Sequence, residues 1–266
     1  MKMFSAPSSF KVGPPPGAVP ASANESSLPV WKRILDLMCC LAALPFFVLC
    51  TLAAAVMTGI ASPGPIFFRQ ERVGFRGRRF KLYKFRTMHV RADVTTHEAH
   101  FNALVQSNGP MQKLDGKGDA RLIPGGWLLR ATGLDELPQL LNVLRGEMSI
   151  VGPRPCIPYE YSQYSATQRE RFAAVPGLTG LWQVSGKNRT TFDEMIRLDI
   201  RYAQTLSPGL DLRIILRTIP ALCTQLSDVR KAKAAAAAAA AQSKPVETLL
   251  ADARGLEAPV VTALVR

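Results

Sequence analysis

The sequence predicts an α+β fold that is predominantly helical and is held at a membrane by an apolar helix near the N-terminus. Residues 34–61 are almost uniformly apolar, and residues 66–88 read as two short strands around a glycine-containing turn. Residues 134–146 carry leucines at helical spacing. We therefore expect an N-terminal re-entrant membrane helix, a small β-hairpin and amphipathic interfacial helices.

Composition divides the chain into four segments. We expect a disordered N-terminal segment at 1–30, the re-entrant membrane helix at 31–62, a main domain on the cytoplasmic face at 63–227, and a low-complexity tail at 228–266 with eight consecutive alanines. The net charge of +13 over 266 residues implies an anionic partner: nucleic acid, anionic lipid or a phosphorylated substrate. Five cysteines without paired or metal-like spacing indicate a reducing compartment.

The apolar segment is long enough for one spanning helix, which needs roughly 20 residues. Pro45, near its middle, removes a backbone donor and predicts a kink. Basic residues flank the segment on both sides, so a span would place one basic cluster outside, against the positive-inside bias. A helix that bends at Pro45 and returns keeps both clusters on the cytoplasmic face, with Asp36 near its mouth paired to Arg33. From composition alone, the spanning and re-entrant alternatives both stay open.

The remaining elements follow from local patterns. We expect helices around 92–104, from Leu134 to Gly146, over 166–173, and from a cap at Thr190 or Thr191 through Arg201. Residues 176–180 are predicted to be a loop. Residues 210–227 predict a last amphipathic helix, which suits either the membrane interface or ordinary core packing.

Asp135 and Glu136 are the most informative pair in the chain. They stand at the predicted start of the 134–146 helix, where acids are favoured by the helix dipole whatever the protein does. The same environment keeps a carboxylate ionised and nucleophilic, and it can receive phosphate oxygens. Under this second interpretation Asp135 is a nucleophile and Glu136 offers a hard oxygen ligand for Mg²⁺ at a substrate phosphate.

Two arginines complete a candidate phosphate site. Arg130 precedes the acidic pair by five residues, and Arg154 lies between two prolines that stiffen its backbone. The planar guanidinium suits bidentate contact with phosphate, although each arginine alone is more often a surface charge or an ion-pair partner. His97 and His100 have a spacing that could hold a metal, but without a further Cys or His we expect them to be exposed polar residues.

Ordered motifs across residues 31–225 resemble the bacterial sugar transferase family, the monotopic phosphoglycosyl transferases. The motifs that carry the resemblance are Lys32-Arg33-x-x-Asp36, the apolar run with Pro45, Ser62-Pro63-Gly64-Pro65, Phe68-Arg69-Gln70-Glu71-Arg72-Val73-Gly74, Tyr83-Lys84-Phe85-Arg86-Thr87-Met88, Leu134-Asp135-Glu136-Leu137-Pro138-Gln139-Leu140, Asn142-Val143-Leu144-Arg145-Gly146, Val151-Gly152-Pro153-Arg154-Pro155 and Gly177-Leu178-Thr179-Gly180-Leu181-Trp182-Gln183-Val184-Ser185-Gly186. The number and order of these matches make the resemblance specific.

The resemblance implies transfer of a hexose 1-phosphate from a UDP-sugar to undecaprenyl phosphate, with release of UMP, at the cytoplasmic face of the bacterial inner membrane. It implies that Asp135 forms a covalent phosphosugar intermediate and that Glu136 binds Mg²⁺. Arg130 and Arg154 match phosphate-binding positions, and Lys84 and Gln183 are further candidates. The chain is similar to the short exopolysaccharide-initiating type, for galactose or glucose.

One departure and two competing functions remain. The family often has Ser before the proline that makes the bend, and here that residue is Leu44. A non-catalytic, basic peripheral-membrane module that binds anionic lipid would explain the charge equally well. A nucleic-acid binder would also explain the charge, but an apolar segment and the lack of any base-stacking or groove-reading motif argue against it. Membrane lipids are expected partners, and homo-oligomerisation is left open.

Overall fold

The computed structural model describes residues 28–89, 95–110, 121–186, 189–224 and 227, with side chains described from residue 101 within the second helix. Residues Met1–Ala221 form one compact unit, and Leu222–Arg266 form a second, of which only four residues are described. The predicted disordered segment and alanine-rich tail lie almost entirely outside the described residues.

The first helix, α1 (Val30–Ala61), contains 32 residues and continues through Pro45. Its length of about 48 Å and its composition suffice to cross a membrane. One face of α1 packs against the rest of the unit, and the opposite face exposes apolar side chains along its whole length. The buried face comprises Lys32, Asp36, Cys40, Ala54 and Thr58.

The predicted pairing of Asp36 with Arg33 is wrong. Asp36 Oδ1 accepts hydrogen bonds from the Ser149 hydroxyl and the Ile150 amide, both at 2.8 Å. Arg33 donates instead to the last carbonyl groups of a later helix. An i, i+3 spacing would allow the two side chains to meet on the helix surface, but each has a tertiary partner instead: Arg33 binds the Val143 and Leu144 carbonyl groups, and Asp36 binds Ser149 and Ile150.

The predicted hairpin is confirmed. Strand β1 (Phe67–Val73) pairs antiparallel with β2 (Arg79–Phe85), with Val73 opposite Arg79. The turn contains a short 3-10 segment, Phe75–Gly77, in which Arg76 and Gly77 have positive φ. Phe47, near the middle of α1, stacks on Phe85 at 6.4 Å between ring centroids, so the hairpin lies against α1.

Short helices build most of the remaining unit. They are α2 (Thr95–Ser107), α3 (Gly126–Thr132), α4 (Leu140–Leu144), α5 (Pro158–Gln163), α6 (Ala166–Arg169), α7 (Leu181–Val184), α8 (Phe192–Gln204) and α9 (208–224). Additional 3-10 segments span Leu134–Gln139 and Glu170–Ala173. The predominantly helical α+β class is therefore confirmed, as is the capping of α8 by the Thr191 hydroxyl.

The segment from Leu134 to Gly146 is not one continuous α-helix. It begins with the 3-10 segment, becomes α-helical at Leu140 and ends near Gly146, whose φ is +77°. Pro138 lacks an N–H and disfavours the α conformation of the residue before it, which accounts for the tighter first turns. Leu144 is consequently 44% exposed rather than part of a single buried face.

A second, two-stranded sheet was not predicted. Strand β3 (Ser149–Val151) pairs in parallel with β4 (Gly177–Thr179), which corrects the predicted loop at 176–180. Strands of three residues are too short for alternation to be recognised in the sequence. The backbones approach closely, because a Cβ at Gly152 would lie 2.1 Å from the Val175 carbonyl oxygen.

Helix α9 confirms the core-packing alternative for one of its two faces. Asp211 and Ile214 face the core, and the Thr218 hydroxyl lies 2.8 Å from that of Thr179. The opposite side exposes Leu212 and other apolar residues, namely Leu216 and Ile219. One face therefore packs in the core, and the other is apolar and open.

Candidate active site

The acidic pair lies in the 3-10 segment that follows α3. Gly133 adopts φ +76° and turns the chain, and the Glu136 amide donates to the Gly133 carbonyl at 3.1 Å. The turn directs the two carboxylates differently, since Asp135 is 5% exposed and Glu136 is half-exposed. An accessible carboxylate such as Glu136 can bind a cation together with substrate oxygens, and the carboxylate of Asp135 beside it is a candidate for covalent chemistry.

Lys84 reaches the acidic pair from the hairpin. Its Nζ donates to Glu136 Oε1 at 2.8 Å, and the two side chains are 22% and 36% exposed. Strand β2 presents Lys84 one residue before its end, directly above the acidic turn. The structure thus brings together three predicted site residues, Asp135, Glu136 and Lys84.

Arg130 occupies the last turn of α3, immediately upstream of the acidic turn. Its Nη1 lies 3.5 Å from the Thr87 hydroxyl, which follows β2. Helix α3 is wedged in place, because a Cβ at Gly126 would meet the Thr87 carbonyl oxygen at 2.5 Å. These two contacts place Arg130, at the end of α3, beside the residues that follow β2.

Arg154 follows β3, and a buried ion pair binds its backbone carbonyl group. Arg171 Nη2 donates to the Arg154 carbonyl oxygen at 3.0 Å and forms an ion pair with Asp199. Arg171 and Asp199 are both essentially inaccessible. With Pro153 and Pro155 on either side, these contacts fix the backbone from which the Arg154 guanidinium projects.

Arg72 belongs to this region and was not predicted as a site residue. It is 7% exposed, and its Nη1 lies 3.4 Å from the Pro155 carbonyl oxygen, with Nη2 donating to Gln70 at 2.7 Å. Burial lowers the pKa of Arg72, and the positive charge of Arg154 lowers it further. Within the described residues, no carboxylate lies within ion-pair distance of Arg72. The hairpin contains several arginines, and their positions in the sequence do not indicate that the Arg72 side chain is buried.

Gln183 lies in α7, where its Nε2 donates to the Leu178 carbonyl oxygen at 3.2 Å. Its buried Oε1 faces Gly180, at which an added Cβ would approach to 2.5 Å. These contacts direct the side chain into the corner between β4 and α7. The structure therefore joins Lys84 to Glu136 and places Arg72 against the Pro155 carbonyl group, next to Arg154 in the chain, while Gln183 contacts β4.

Cys156 follows Pro155 and is the described thiol nearest in sequence to Arg154. It is 1% exposed, and burial raises the pKa of its thiol to about 12. A thiol that stays protonated at neutral pH is a poor nucleophile. The carboxylate of Asp135 is thus the better candidate for covalent chemistry.

The residues present fit a Mg²⁺ ion of the kind that accompanies substrate phosphates. The described side chains form no cluster of three His, Cys, Asp or Glu residues, which excludes an all-protein cage among them. Mg²⁺ commonly uses one or two carboxylates together with phosphate oxygens and water. The half-exposed Glu136 can supply one carboxylate oxygen. The side chains of His97 and His100 lie outside the described residues.

The long apolar helix indicates a membrane-associated domain. Its candidate site combines the carboxylates of Asp135 and Glu136 with the positive charge of Lys84, and these groups suit chemistry at a phosphate. A family model described as "Bacterial sugar transferase" matches residues 27–225. The chain belongs to the bacterial sugar transferase family, and it is a transferase enzyme.

Curated relatives are also similar to this chain over most of its length. The UDP-glucose:undecaprenyl-phosphate glucose-1-phosphate transferase of Caulobacter vibrioides is 43% identical over 201 residues, which cover 73% of this chain and 70% of the relative. The exopolysaccharide production protein ExoY of Rhizobium meliloti is 38% identical over 194 residues, covering 72% and 85%. The galactosyl transferase CpsE of Streptococcus agalactiae is 45% identical over 157 residues, covering 59% of this chain and 34% of that relative. The chain thus spans about a third of the streptococcal protein's length.

Proposed function

We propose that this protein transfers a hexose 1-phosphate from a UDP-sugar to undecaprenyl phosphate and releases UMP, as the first membrane step of exopolysaccharide synthesis. The observation that carries this proposal is the contact between Lys84 and Glu136 beside the buried Asp135, in a member of the bacterial sugar transferase family. Two relatives have names that specify a glucose-1-phosphate transferase and a galactosyl transferase. Glucose and galactose are therefore the donor sugars to test first.

The reaction proceeds in two displacements at one phosphorus atom. A carboxylate oxygen of Asp135 attacks the β-phosphorus of the UDP-sugar, and the bond to the bridging oxygen breaks, so that UMP leaves with that oxygen. An oxygen of the lipid phosphate then attacks the same phosphorus and releases the Asp135 carboxylate. The product is a lipid-linked diphosphosugar, and the enzyme is regenerated.

Positive charge around Asp135 supports both displacements. Arg130 and Arg154 bind oxygens of the diphosphate, because guanidinium groups pair with phosphate in bidentate fashion. Lys84 orients the Glu136 carboxylate through their 2.8 Å contact. A Mg²⁺ ion held by Glu136 would neutralise phosphate charge in the bound substrate.

The packing of α1 supports a re-entrant arrangement at the inner membrane. Its first turns, its middle and its last turns all meet the same unit, through Lys32, Phe47 and Met57 respectively. A straight span would carry one end of α1 about 30 Å across the apolar core, away from a unit that stays on one side. Under this proposal, the domain and both ends of α1 lie on the cytoplasmic face.

Purified protein in detergent, supplied with undecaprenyl phosphate, Mg²⁺ and a panel of UDP-sugars, tests the reaction. We expect UMP release with UDP-glucose or UDP-galactose, and none from Asp135→Asn. If folded wild-type protein releases no UMP with any donor while still floating with anionic vesicles, the lipid-binding alternative replaces this proposal.

The topology is tested by labelling. Val30→Cys and Pro63→Cys, each made in a Cys223→Ser background, place a thiol at an exposed position at either end of α1. A membrane-impermeant maleimide applied to intact spheroplasts should label neither position, and both after lysis. Labelling of one position alone before lysis would establish a spanning helix.

A further inference from the structure

The Lys32-x-x-x-Asp36 pair at the start of α1 is buried where a membrane helix would be expected to carry apolar residues. Both side chains are 1% exposed. Lys32 Nζ forms an ion pair with Asp211 at 2.5 Å and donates to the Tyr202 hydroxyl and the Val151 carbonyl oxygen, both at 2.9 Å. Burying ionised groups is costly unless they are paired or hydrogen-bonded, and both side chains have specific partners in the main unit.

Both residues contact the same short strand. Asp36 Oδ1 accepts from the Ser149 hydroxyl and the Ile150 amide, and Lys32 binds the carbonyl oxygen of Val151. Strand β3 is thus tied to α1 at each of its three residues.

Strand β3 leads directly to the loop that carries Arg154. Gly152 and Pro153 are the two residues that separate Val151 from Arg154. Beyond them, Arg171 holds the Arg154 carbonyl oxygen at 3.0 Å and Arg72 lies 3.4 Å from that of Pro155. Buried charged side chains therefore hold the backbone on both sides of Arg154, and two of these side chains belong to the membrane helix.

We propose that Lys32 and Asp36 are positioning residues through which the membrane helix sets the place of Arg154 in the active site. α1 is then part of the catalytic scaffold as well as an anchor. Since a displacement of about 1 Å can reduce turnover 100-fold, a short, doubly anchored strand gives the precision that the site needs. The inference rests on the proposed function in assigning the substrate diphosphate to Arg154.

Asp36→Ala and Asp36→Asn separate this role from simple folding. A single oxygen of Asp36 accepts both hydrogen bonds, so the amide oxygen of asparagine can still accept them and alanine cannot. We expect Asp36→Ala to raise the KM for the UDP-sugar about 10-fold, and Asp36→Asn to restore it to within about twofold. Thr58→Val is the matched control, because Thr58 is buried in the same helix and its hydroxyl bonds to carbonyl groups within that helix.

A double-mutant cycle identifies the residue through which Asp36 acts. In an Arg154→Ala background, Asp36→Ala should leave the KM for the donor unchanged, because the residue it positions is already gone. Equal, additive effects in both backgrounds would overturn the inference.

Hydrogen exchange gives a readout that does not depend on turnover. In membrane nanodiscs, Asp36→Ala should speed exchange of the Gly152 and Arg154 amides relative to Asp36→Asn, with Thr58→Val matching the wild type. If exchange there is the same in all variants, Asp36 does not hold the strand. Loss of UMP release by the wild type would instead refute the proposed function and leave this measurement to decide the inference.

Discussion

Lys84 Nζ and Glu136 Oε1 lie 2.8 Å apart, and this contact joins the end of the β-hairpin to the acidic turn. The two residues are 52 positions apart in the chain. Because both side chains are partly exposed, the pair adds little to folding stability, about 0–1 kcal/mol. Its placement next to Asp135 points to a role in chemistry rather than in folding.

Replacing Lys84 tests that role. Lys84→Met should lower kcat about 10- to 100-fold, because Glu136 and the substrate phosphates lose a fixed cation, while thermal unfolding shifts little. Arg79→Met is the control, since Arg79 forms an exposed ion pair with Glu71 at 3.6 Å on the same hairpin. Equal turnover in Lys84→Met and Arg79→Met would show that the Lys84–Glu136 contact is not catalytic.

The Mg²⁺ requirement should depend on Glu136. In Glu136→Gln the neutral amide is a weaker ligand for a hard cation, so the Mg²⁺ concentration for half-maximal UMP release should rise about 10-fold or more. Titrating Mg²⁺ into EDTA-treated protein measures this shift, with Glu71→Gln as the control on the hairpin. An unchanged Mg²⁺ titration in Glu136→Gln would place the metal elsewhere.

The buried ion pair behind Arg154 should dominate the stability of that region. Arg171→Met leaves Asp199 buried without its cation and should cost about 3–5 kcal/mol, measured by denaturant unfolding in detergent. Adding Asp199→Leu should recover much of the loss, because an apolar pair needs no compensation. Equal destabilisation in the single and double variants would mean that packing, rather than charge, governs this site.

Gly152 should tolerate no side chain. Gly152→Ala puts a Cβ within 2.1 Å of the Val175 carbonyl oxygen, so β3 and β4 must separate and the loop of Arg154 must move. We expect loss of both UMP release and folded yield. Gly59→Ala in α1, where the new Cβ would meet no atom within 4 Å apart from its chain neighbours and the backbone of its own helix, should be neutral or slightly stabilising. A folded, active Gly152→Ala protein would contradict the close strand approach.

The sequence predicts features set by neighbouring residues better than contacts between residues far apart in the chain. The hairpin, the Thr191 cap and the end of α4 near Gly146 follow from local signals, and each is confirmed. The sheet of β3 and β4 was missed because three-residue strands leave no periodic signal. Pro138 lies in a 3-10 segment, so the segment from Leu134 to Gly146 is not the single helix that the leucine spacing predicts.

For the candidate site, the motifs single out the acidic pair and Arg130, but they do not indicate which side chains contact these residues. Sequence spacing gives no means of telling that Lys84, 52 residues upstream, would contact Glu136. The inward turn of Arg72 and the bonds from Asp36 to β3 also depend on tertiary packing. The pairing of Asp36 with Arg33 failed for that reason, since the nearest charge in sequence was not the partner in space.

The central claim, that Asp135 is the nucleophile, is tested most directly by intact-mass spectrometry of the protein incubated with UDP-glucose or UDP-galactose and Mg²⁺ but without a lipid acceptor. We predict a covalent hexose-phosphate adduct that maps to Asp135, disappears when undecaprenyl phosphate is added, and is absent from Asp135→Asn. Turnover by the wild type without any adduct, or an adduct that persists in Asp135→Asn, would contradict the account.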